Sequence, residues 1–448
     1  MSFFYPEKTK ATPPPPSLPL ASLNQGQQEA ADGFFQFLFG PEKEIIISGP
    51  GGVGKTFLMG WLIDQVMPEY FKSCKMMGIQ PEYDSVQMTA TTNKAAEVLS
   101  LSTGRPTETI HSFLALKVTD DYSTGKSKLT KTGAWQVHER KIIFVDEAYM
   151  VDSALLLLIR EGTHNCKIVF VGDHCQLAPV METISPIHRA GLSFFELTEN
   201  VRNAGQPALM NVCQQLRNTV ETGVFNPIKV VPGVIDWVDS TTMEDLINAT
   251  FKVQTRDARI LAYTNKRVVL YNDHIRDVRH LPGEYGSGEF LINNQAIRIG
   301  NQSLSVEEEV EIIDQTTKTE MLVVNDDVSV EIRTATLKSR LGEMFYHVPL
   351  PVNRDHYSSL VQYFSRTKNW NRYFFLKNKI PDLRPRDAAT VHKAQGSTYD
   401  VVFLDMGDIS TCHQAATVAR LLYVAFTRAR SRVILYGELS EKYGGIVA

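Results

Sequence analysis

A glycine-rich octapeptide is the segment of this sequence whose chemistry is most specific. Gly49-Pro-Gly-Gly-Val-Gly-Lys-Thr56 fits the spacing GxxxxGK[ST], and it lies between a β-branched run at residues 45–47 and an apolar helix-like segment. Glycines let backbone amides curl around phosphate oxygens, and the amino terminus of the following helix adds its dipole. The pattern predicts a site for ATP, with a plain glycine-rich turn as the alternative.

Within this site, Lys55 is expected to pair with the β- and γ-phosphates, and Thr56 is expected to ligate Mg²⁺. The residues of the segment predicted to line the nucleotide are Gly49, Pro50, Gly51, Gly52, Val53, Gly54, Lys55, Thr56 and Phe57.

Two apolar runs end in polar side chains suited to phosphate chemistry. Ile142-Ile-Phe-Val-Asp-Glu147 ends in two carboxylates, so Asp146 is predicted to hold Mg²⁺ and Glu147 to polarise the attacking water. The run at residues 168–171 leads into Gly172-Asp-His-Cys-Gln176, where Gln176 is placed to contact the γ-phosphate. The Asp-His-Cys triplet could instead form a metal site, although no second ligand cluster accompanies it.

The elements that must position these side chains are buried strands separated by helix-length segments. Near-continuous apolar strands between helices imply parallel sheets that are covered on both faces, so the sequence predicts an α/β fold. The candidate strands lie at residues 142–145, 168–171, 259–263, 401–404 and 432–436.

Three segments depart from this alternation. Residues 281–384 contain short β-like runs at 310–313, 320–324 and 328–334, and they predict a β-rich insertion. Residues 117–122 and 126–131 flank Ser-Thr-Gly and predict a β-hairpin. The first twenty residues include Pro13 to Pro16, which favour extended polyproline geometry, and are interpreted as a flexible tail or as an SH3-type ligand.

Length, charge and cysteine usage narrow the class of protein. A chain of 448 residues exceeds the size at which single cores stop growing, so at least two folded units are expected. The net charge of −4 argues against a globally basic nucleic-acid binder but leaves local basic patches open. Five scattered cysteines indicate a reducing compartment, and neither a membrane span nor a signal peptide is recognisable. A cytoplasmic location is expected.

The order of the motifs resembles that of superfamily-one helicases, and within them the RecD and Dda group. The octapeptide, Asp146-Glu147 and residues 172–176 resemble motifs I, II and III. Leu23-Asn-Gln-Gly-Gln27 resembles the Q motif, whose last glutamine reads the adenine edge; by itself it is only a glutamine-rich helix start.

Two further motifs resemble those that supply arginines to the γ-phosphate. Residues 197–202 resemble motif IV and residues 422–430 motif VI, which implies γ-phosphate contacts for Arg202 and Arg428. Guanidinium groups are planar and permanently positive, so they are well suited to bind the negative charge that the phosphoryl oxygens share. Motif V places Gly396 near the nucleotide. The catalytic residues implied together are Lys55, Glu147, Gln176, Arg202 and Arg428.

The resemblance also implies contacts with single-stranded DNA. Residues 89–96, 109–112 and 389–398 resemble motifs Ia, Ib and V, and residues 262–266 resemble the strand-contacting segment of the second domain. The implied contacts are Thr91, Thr92, Asn93, His111, Thr264, Asn265, Thr390, His392 and Lys393.

Two regions are candidates for handling the DNA strands. The hairpin resembles a strand-splitting pin with Tyr122 at its tip. Residues 366–386 carry seven basic residues against one acid and include Trp370 among several aromatics, so they are interpreted as a DNA-facing strip, or as a solvated face whose aromatics belong to the core. Residues 307–309, all glutamate, are expected to face away from DNA phosphates.

The predicted fold is α/β, with two RecA-like P-loop NTPase domains, a hairpin insertion in the first and a small SH3-like β insertion in the second. The limits predicted are 1–20 for the tail, 21–205 for the first domain with its insertion at 115–138, 206–280 and 385–448 for the second domain, and 281–384 for the β insertion.

The predicted function is an ATP- and Mg²⁺-dependent DNA helicase that acts on single-stranded and fork DNA, with 5′→3′ movement implied by the resemblance. A monomeric motor is expected, with single-strand-binding or replication proteins as candidate partners. One alternative is a strand-stimulated ATPase that remodels protein–DNA complexes without unwinding. Another is a P-loop kinase or metabolic ATPase.

Overall fold

The computed structural model describes residues 23–177, 185–199, 206–340 and 342–447. The predicted tail at residues 1–20 and the candidate Arg202 lie outside these ranges. In chain order, the elements up to residue 199 are α1 (Gln25–Phe39), β1 (Glu44–Ser48), α2 (Lys55–Trp61), a π-helical turn (Leu62–Val66), α3 (Met67–Met77), β2 (Ser85–Ala90), α4 (Asn93–Thr103), β3 (Thr107–Thr109), α5 (Ile110–Phe113), β4 (Leu116–Asp121), β5 (Lys126–Lys131), β6 (His138–Glu139), β7 (Lys141–Asp146), a 3-10 turn (Ala148–Met150), α6 (Ser153–Glu161), β8 (Thr163–His164), β9 (Lys167–Gly172), α7 (Pro186–Arg189) and β10 (Ser193–Glu196).

A parallel sheet organises this first part of the chain. Its described strands run in the order β10-β1-β9-β7-β2-β3, and neighbouring strands pair in parallel. Alternate residues of β1 serve opposite faces: Ile45 and Ile47 belong to the core that includes α1, whereas Ile46 belongs to the core that includes α6. Both faces are therefore covered, as continuous apolar strands require.

The remaining elements are α8 (Pro207–Thr222), β11 (Ile228–Lys229), β12 (Ile235–Val238), α9 (Ser240–Phe251), β13 (Ala258–Ala262), α10 (Asn265–Val278), β14 (Phe290–Asn293), β15 (Ile297–Ile299), β16 (Gln302–Leu304), β17 (Glu309–Gln315), β18 (Glu320–Asn325), β19 (Val328–Ser339), β20 (Met344–Pro351), α11 (Arg354–Arg366), α12 (Trp370–Lys379), β21 (Leu383–Pro385), β22 (Ala388–Thr390), a 3-10 turn (His392–Ala394), β23 (Tyr399–Asp405), α13 (Met406–Ser410), α14 (Ala415–Thr427), β24 (Ala429–Tyr436), a 3-10 turn (Glu441–Tyr443) and β25 (Ile446–Val447).

A second parallel sheet has the order β12-β24-β23-β13-β22 among the described strands. Between its strands β13 and β22 the chain makes an excursion into an antiparallel sheet, ordered β18-β19-β17-β14-β21 with β20 paired to β19. The helices α11 and α12 follow β20, and α12 contributes Leu376 to a small core with Val330 of β19. We call residues 281–384 the β-rich insertion.

The predicted strands and the predicted hairpin are confirmed. Each of the five candidate parallel strands overlaps an observed one, and β4 pairs with β5 around the turn at residues 122–125. The α/β class is likewise confirmed, whereas the likeness of the β-rich insertion to an SH3 fold stays a prediction.

All five cysteines have free thiols. No helix in the described ranges is long and apolar enough to cross a membrane.

Candidate nucleotide site and nucleic-acid interface

The glycine-rich loop connects β1 to α2 and has the backbone that a phosphate cradle requires. Gly52 and Gly54 adopt positive φ angles of 94° and 81°, which glycine accepts without steric cost. At Gly49 an added Cβ would lie 2.5 Å from the carbonyl oxygen of Leu197, so a larger residue does not fit there. The Lys55 ammonium donates to the carbonyl oxygens of Gly49 and Pro50, at 2.6 and 2.9 Å. These contacts place the lysine against the curve of the loop.

The paired carboxylates lie at the end of β7. Burial, followed by the charge of Glu147, raises the pKa of Asp146 to about 7, and Lys55 opposes this shift. Glu147 has a φ angle of 50°, an unusual conformation for a residue with a side chain and one that clusters at functional sites. Thr56 and Asp146 are the residues that would hold Mg²⁺, because hydroxyl and carboxylate oxygens suit this ion.

Gln176 lies beside the glycine-rich loop, and its side-chain oxygen lacks a hydrogen-bond donor in the described part of the chain. Its side chain is 8% exposed, and its Oε1 atom has no partner among the described residues. The preceding residues approach the glycine-rich loop, since the backbone NH of Gly49 donates to the carbonyl oxygen of Gly172 at 3.0 Å. An unsatisfied buried amide costs free energy, so Gln176 fits a residue that gains a partner when nucleotide and water are bound.

The side chain of Gln27, which is predicted to contact adenine, forms hydrogen bonds within the protein. Its Nε2 donates to the carbonyl oxygen of Val53 at 3.1 Å, and its Oε1 accepts from the backbone NH of Asn24 at 3.2 Å. These bonds form a capping box on α1 and join that helix to the glycine-rich loop. Gln27 therefore positions the loop, and its reading of adenine stays a prediction.

Arg428 is buried and bound within its own domain. Its guanidinium donates to the carbonyl oxygens of Val424 and Ser397, both at 3.1 Å, and to the Thr427 hydroxyl at 3.0 Å. The neighbouring Gly396 has a positive φ angle of 72°. Arg428 thus joins the segment predicted as motif VI to the one predicted as motif V, and its contact with a γ-phosphate stays a prediction.

The two parallel sheets present equivalent helix termini. Thr92 caps the amino terminus of α4 and Thr264 caps that of α10, each accepting a backbone NH through its side-chain oxygen. Asn93 and Asn265, the first helical residues, are exposed. The Thr264 hydroxyl also donates to Asp408 at 2.8 Å. Each terminus offers free amides and an asparagine to an anion such as a strand phosphate.

Lys94 and Lys266 follow the two asparagines at these helix termini, and neither was predicted as a functional residue. Thr-Asn-Lys occurs twice, at residues 92–94 and 264–266, and this short repeat was the available signal. Lys94 donates from its ammonium to the Ser397 hydroxyl and thereby connects the two domains directly.

Two other predicted DNA contacts are less accessible. The hydroxyl of Thr91 donates to the carbonyl oxygen of Glu147 at 3.2 Å, which links the predicted motif Ia to the carboxylate strand. Burial lowers the pKa of His111, so this imidazole is neutral at physiological pH. Direct strand contacts by both residues stay predictions.

An acidic residue forms an ion pair with the segment predicted as motif V. Thr390 is buried, burial lowers the pKa of His392, and the Lys393 ammonium lies 3.1 Å from Glu307 Oε1. Glu307 therefore lies beside a residue that is predicted to contact DNA, and the expectation that residues 307–309 face away from DNA phosphates stays a prediction. The loop after β16 turns this side chain toward Lys393, whereas Glu309 pairs with arginines at the base of the β-rich insertion.

The hairpin of β4 and β5, here called the pin hairpin, packs against α12. The Tyr122 ring meets Phe374 edge-on with 5.0 Å between centroids, and the Asn378 amide donates to Asp120 at 2.8 Å. Gly125 lies so close to the Trp370 ring that an added Cβ would be 2.3 Å away. Tyr122 nevertheless remains half exposed, so one face is free to meet a base.

The basic segment at residues 366–386 is not one continuous surface. It spans α12 and β21, and Arg386 is buried beside Glu309 while Arg384 pairs with Asp382. Phe374 is buried in contact with neighbouring aromatics, whereas Arg366, Lys368 and Lys379 are exposed. The segment is therefore not one continuous strip of free basic charge, because Arg386 is buried and Arg384 is paired, and contact of its exposed residues with DNA stays a prediction.

Comparison with known proteins identifies both domains. Residues 22–226 match the family model described as an AAA domain, and residues 387–436 match that of a UvrD-like helicase C-terminal domain. The chain is also similar to the ATP-dependent DNA helicase Dda of Enterobacteria phage T4, with 24% identity over 91% of this chain and 98% of that protein. The resemblance predicted from the motifs is confirmed.

Solved helicase structures share this fold. One solved structure concerns two coordinating Pif1 helicases and DNA unwinding at forked duplex DNA. It superposes with a TM-score of 0.51 at 14% identity, covering 96% of this chain and 94% of that one. The Pif1 helicase from Bacteroides in complex with ADP-AlF3 and single-stranded DNA gives a TM-score of 0.50 at 13% identity, covering 96% and 95%. The two parallel sheets therefore share the two-RecA-domain fold of these Pif1 helicases.

Proposed function

We propose that the chain is an ATP-dependent DNA helicase that translocates on single-stranded DNA and unwinds duplex ahead of it. The observation that carries this proposal is the pairing of one nucleotide loop with two equivalent helix termini, at Thr92 and Thr264, on separate RecA-like sheets. A motor that advances along a strand needs two such grips and a nucleotide-dependent change in the distance between them. The similarity to the phage Dda helicase supports the same activity.

The residues of the nucleotide site supply binding, orientation and charge. Lys55 and the loop amides would bind the phosphates, Thr56 and Asp146 would hold Mg²⁺, and Glu147 would accept a proton from the attacking water. Gln176 would contact the γ-phosphate from the first domain, with Arg428 contributing from the second and Arg202 from the segment predicted as motif IV. Bound Mg-ATP supplies the phosphoryl group whose transfer drives the cycle.

The strand would run across the amino termini of α4 and α10 and past Lys393 toward the pin hairpin. Exposed Asn93 and Asn265 can donate to phosphates without reading sequence, which suits a translocase. The pin hairpin would separate the strands with Tyr122, and Trp370 supports the turn from behind. We further propose 5′→3′ movement on single-stranded and fork DNA, domain limits as predicted above, and a monomeric motor.

The decisive experiment measures ATP hydrolysis with and without single-stranded DNA, followed by strand displacement from 5′-tailed and 3′-tailed duplexes. Lys55→Ala is the control for hydrolysis by a contaminant. Strand-stimulated hydrolysis with displacement from 5′ tails is the expected result. Hydrolysis independent of DNA would refute the helicase assignment, and displacement from 3′ tails alone would refute the polarity.

A matched pair of pin variants separates unwinding from remodelling without unwinding. Deletion of residues 119–128 removes most of the pin hairpin, and replacement of the same residues with an equally long Gly-Ser linker keeps the chain length. Both should retain strand-stimulated hydrolysis and lose displacement. If displacement persists in both, the pin hairpin does not split the strands.

A further inference from the structure

A buried ion-pair network lies between the segment after β9 and the second domain. Arg217 of α8 is 4% exposed, and its guanidinium donates to Asp173 Oδ1 at 2.8 Å and to Glu196 Oε1 at 2.7 Å. Its Nε lies 3.2 Å from Glu221 Oε1. The Tyr423 hydroxyl of α14 donates to the other oxygen of Asp173 at 2.7 Å. The helices α8 and α14 pack together in the core of the second domain.

Asp173 is ionised in this setting. Burial alone would raise the pKa of Asp173, but the charges of Arg217 and Lys55 and the Tyr423 hydroxyl outweigh burial and hold the pKa below its ordinary value. Breaking one partner of such a buried pair leaves the other charge uncompensated. The same guanidinium lies among Asp173, Glu196 and Glu221, so one arginine is the shared ion-pair partner of all three carboxylates.

The network contacts both segments that carry predicted γ-phosphate residues. Asp173 lies three residues before Gln176, and Glu196 lies six residues before Arg202. A second arginine, Arg420 of α14, donates to the carbonyl oxygens of His174 and Gln176, the latter at 2.7 Å. The backbone that positions Gln176 is therefore bound by side chains of the second domain.

We propose that Arg217 is a positioning residue that couples the γ-phosphate contact of Gln176 to the movement of the second domain. A planar guanidinium fixes two carboxylates on separate segments at once, so a shift of Gln176 changes the geometry of both ion pairs. Tyr423 and Arg420 transmit that shift to α14, which leads directly to Arg428. This inference rests on the proposed helicase function and deepens it.

The test compares Arg217→Lys and Tyr423→Phe with the control Arg276→Lys. Lysine keeps the charge but loses the forked geometry, and phenylalanine removes one hydrogen bond to Asp173. Arg276 is equally buried and pairs with Glu289 and two backbone carbonyls of the β-rich insertion, and these contacts do not include the segment after β9. The measurements are strand-stimulated kcat, KM for ATP, base pairs unwound per ATP, and Tm.

Arg217→Lys is expected to lower kcat about tenfold, because one charge-assisted hydrogen bond is lost. The number of base pairs unwound per ATP should also fall, while KM for ATP changes little. Tyr423→Phe should move the same parameters in the same direction by less. Arg276→Lys should lower Tm without changing the coupling ratio.

The inference is overturned if Arg217→Lys lowers Tm while kcat and base pairs unwound per ATP remain those of Arg276→Lys, since Arg217 would then be structural. If Arg217→Lys does not fold, an unchanged coupling ratio in Tyr423→Phe overturns the inference by itself. Absence of strand-stimulated hydrolysis in the unmodified chain would instead refute the proposed function.

Discussion

Removing the charge of Glu307 should tighten binding of single-stranded DNA. Glu307 Oε1 lies 3.1 Å from the Lys393 ammonium, and both side chains are about one third exposed or less, at 27% and 32%. A strand phosphate that binds Lys393 must displace this carboxylate. The substitution Glu307→Gln removes the competitor and retains the size of the side chain. Because glutamine accepts the φ angle of 62° no better than glutamate, backbone strain stays unchanged.

The magnitude follows from the worth of a partly exposed ion pair, about 0.2–1 kcal/mol. Releasing Lys393 from this pair should increase affinity by up to about fivefold near 0.1 M salt. One additional phosphate contact should also steepen the dependence of log K on log salt by about 0.7. Fluorescence anisotropy of a labelled oligothymidine, titrated at several salt concentrations, measures both quantities.

Glu320→Gln is the matched control, because it makes the same change of charge on an exposed residue of the same β-rich insertion. A general effect of net charge would raise the affinity of both variants equally. If Glu307→Gln binds no more tightly than Glu320→Gln, the carboxylate does not compete with DNA. A weaker affinity would show that Glu307 positions Lys393 for the strand.

Three further results are expected. Tyr122→Ala removes the ring that meets Phe374 and should reduce strand displacement while strand-stimulated hydrolysis persists; equal loss of both would contradict a role limited to splitting. Gln27→Ala breaks the capping box and should lower the free energy of unfolding by about 1 kcal/mol in chemical denaturation, with a higher KM for ATP; an unchanged KM would show that positioning by Gln27 is dispensable. Burial lowers the pKa of three imidazoles, so each contributes stability that is lost as pH decreases below about 6.5, whereas the raised pKa of Asp146 contributes in the opposite direction; below this pH the free energy of unfolding should therefore fall more steeply with decreasing pH in the unmodified chain than in a variant with the three imidazoles replaced by glutamine, and an equal slope would contradict this assignment. These imidazoles belong to His111, His174 and His392.

Local features of the fold could be predicted from the sequence because each depends on neighbouring residues. The glycine-rich loop requires glycines at positive φ, as found at Gly52 and Gly54. The parallel strands require continuous apolar residues because both faces are covered, and the pin hairpin requires a turn between two β-like runs. The nucleotide chemistry of Lys55 and Asp146 follows from the same short motifs.

Contacts between distant segments were decided only by the tertiary structure. A charge shows in the sequence, but its partner depends on how loops and helices pack, so Arg217 with Asp173 and Glu307 with Lys393 could not be anticipated. The basic segment at residues 366–386 appeared continuous because sequence proximity ignores the break between α12 and β21. The sequence by itself therefore determined the strands, the glycine-rich loop and the order of the motifs. Tertiary packing determined which side chains bind one another and which remain free for a ligand, because that choice depends on burial and distance rather than on spacing along the chain.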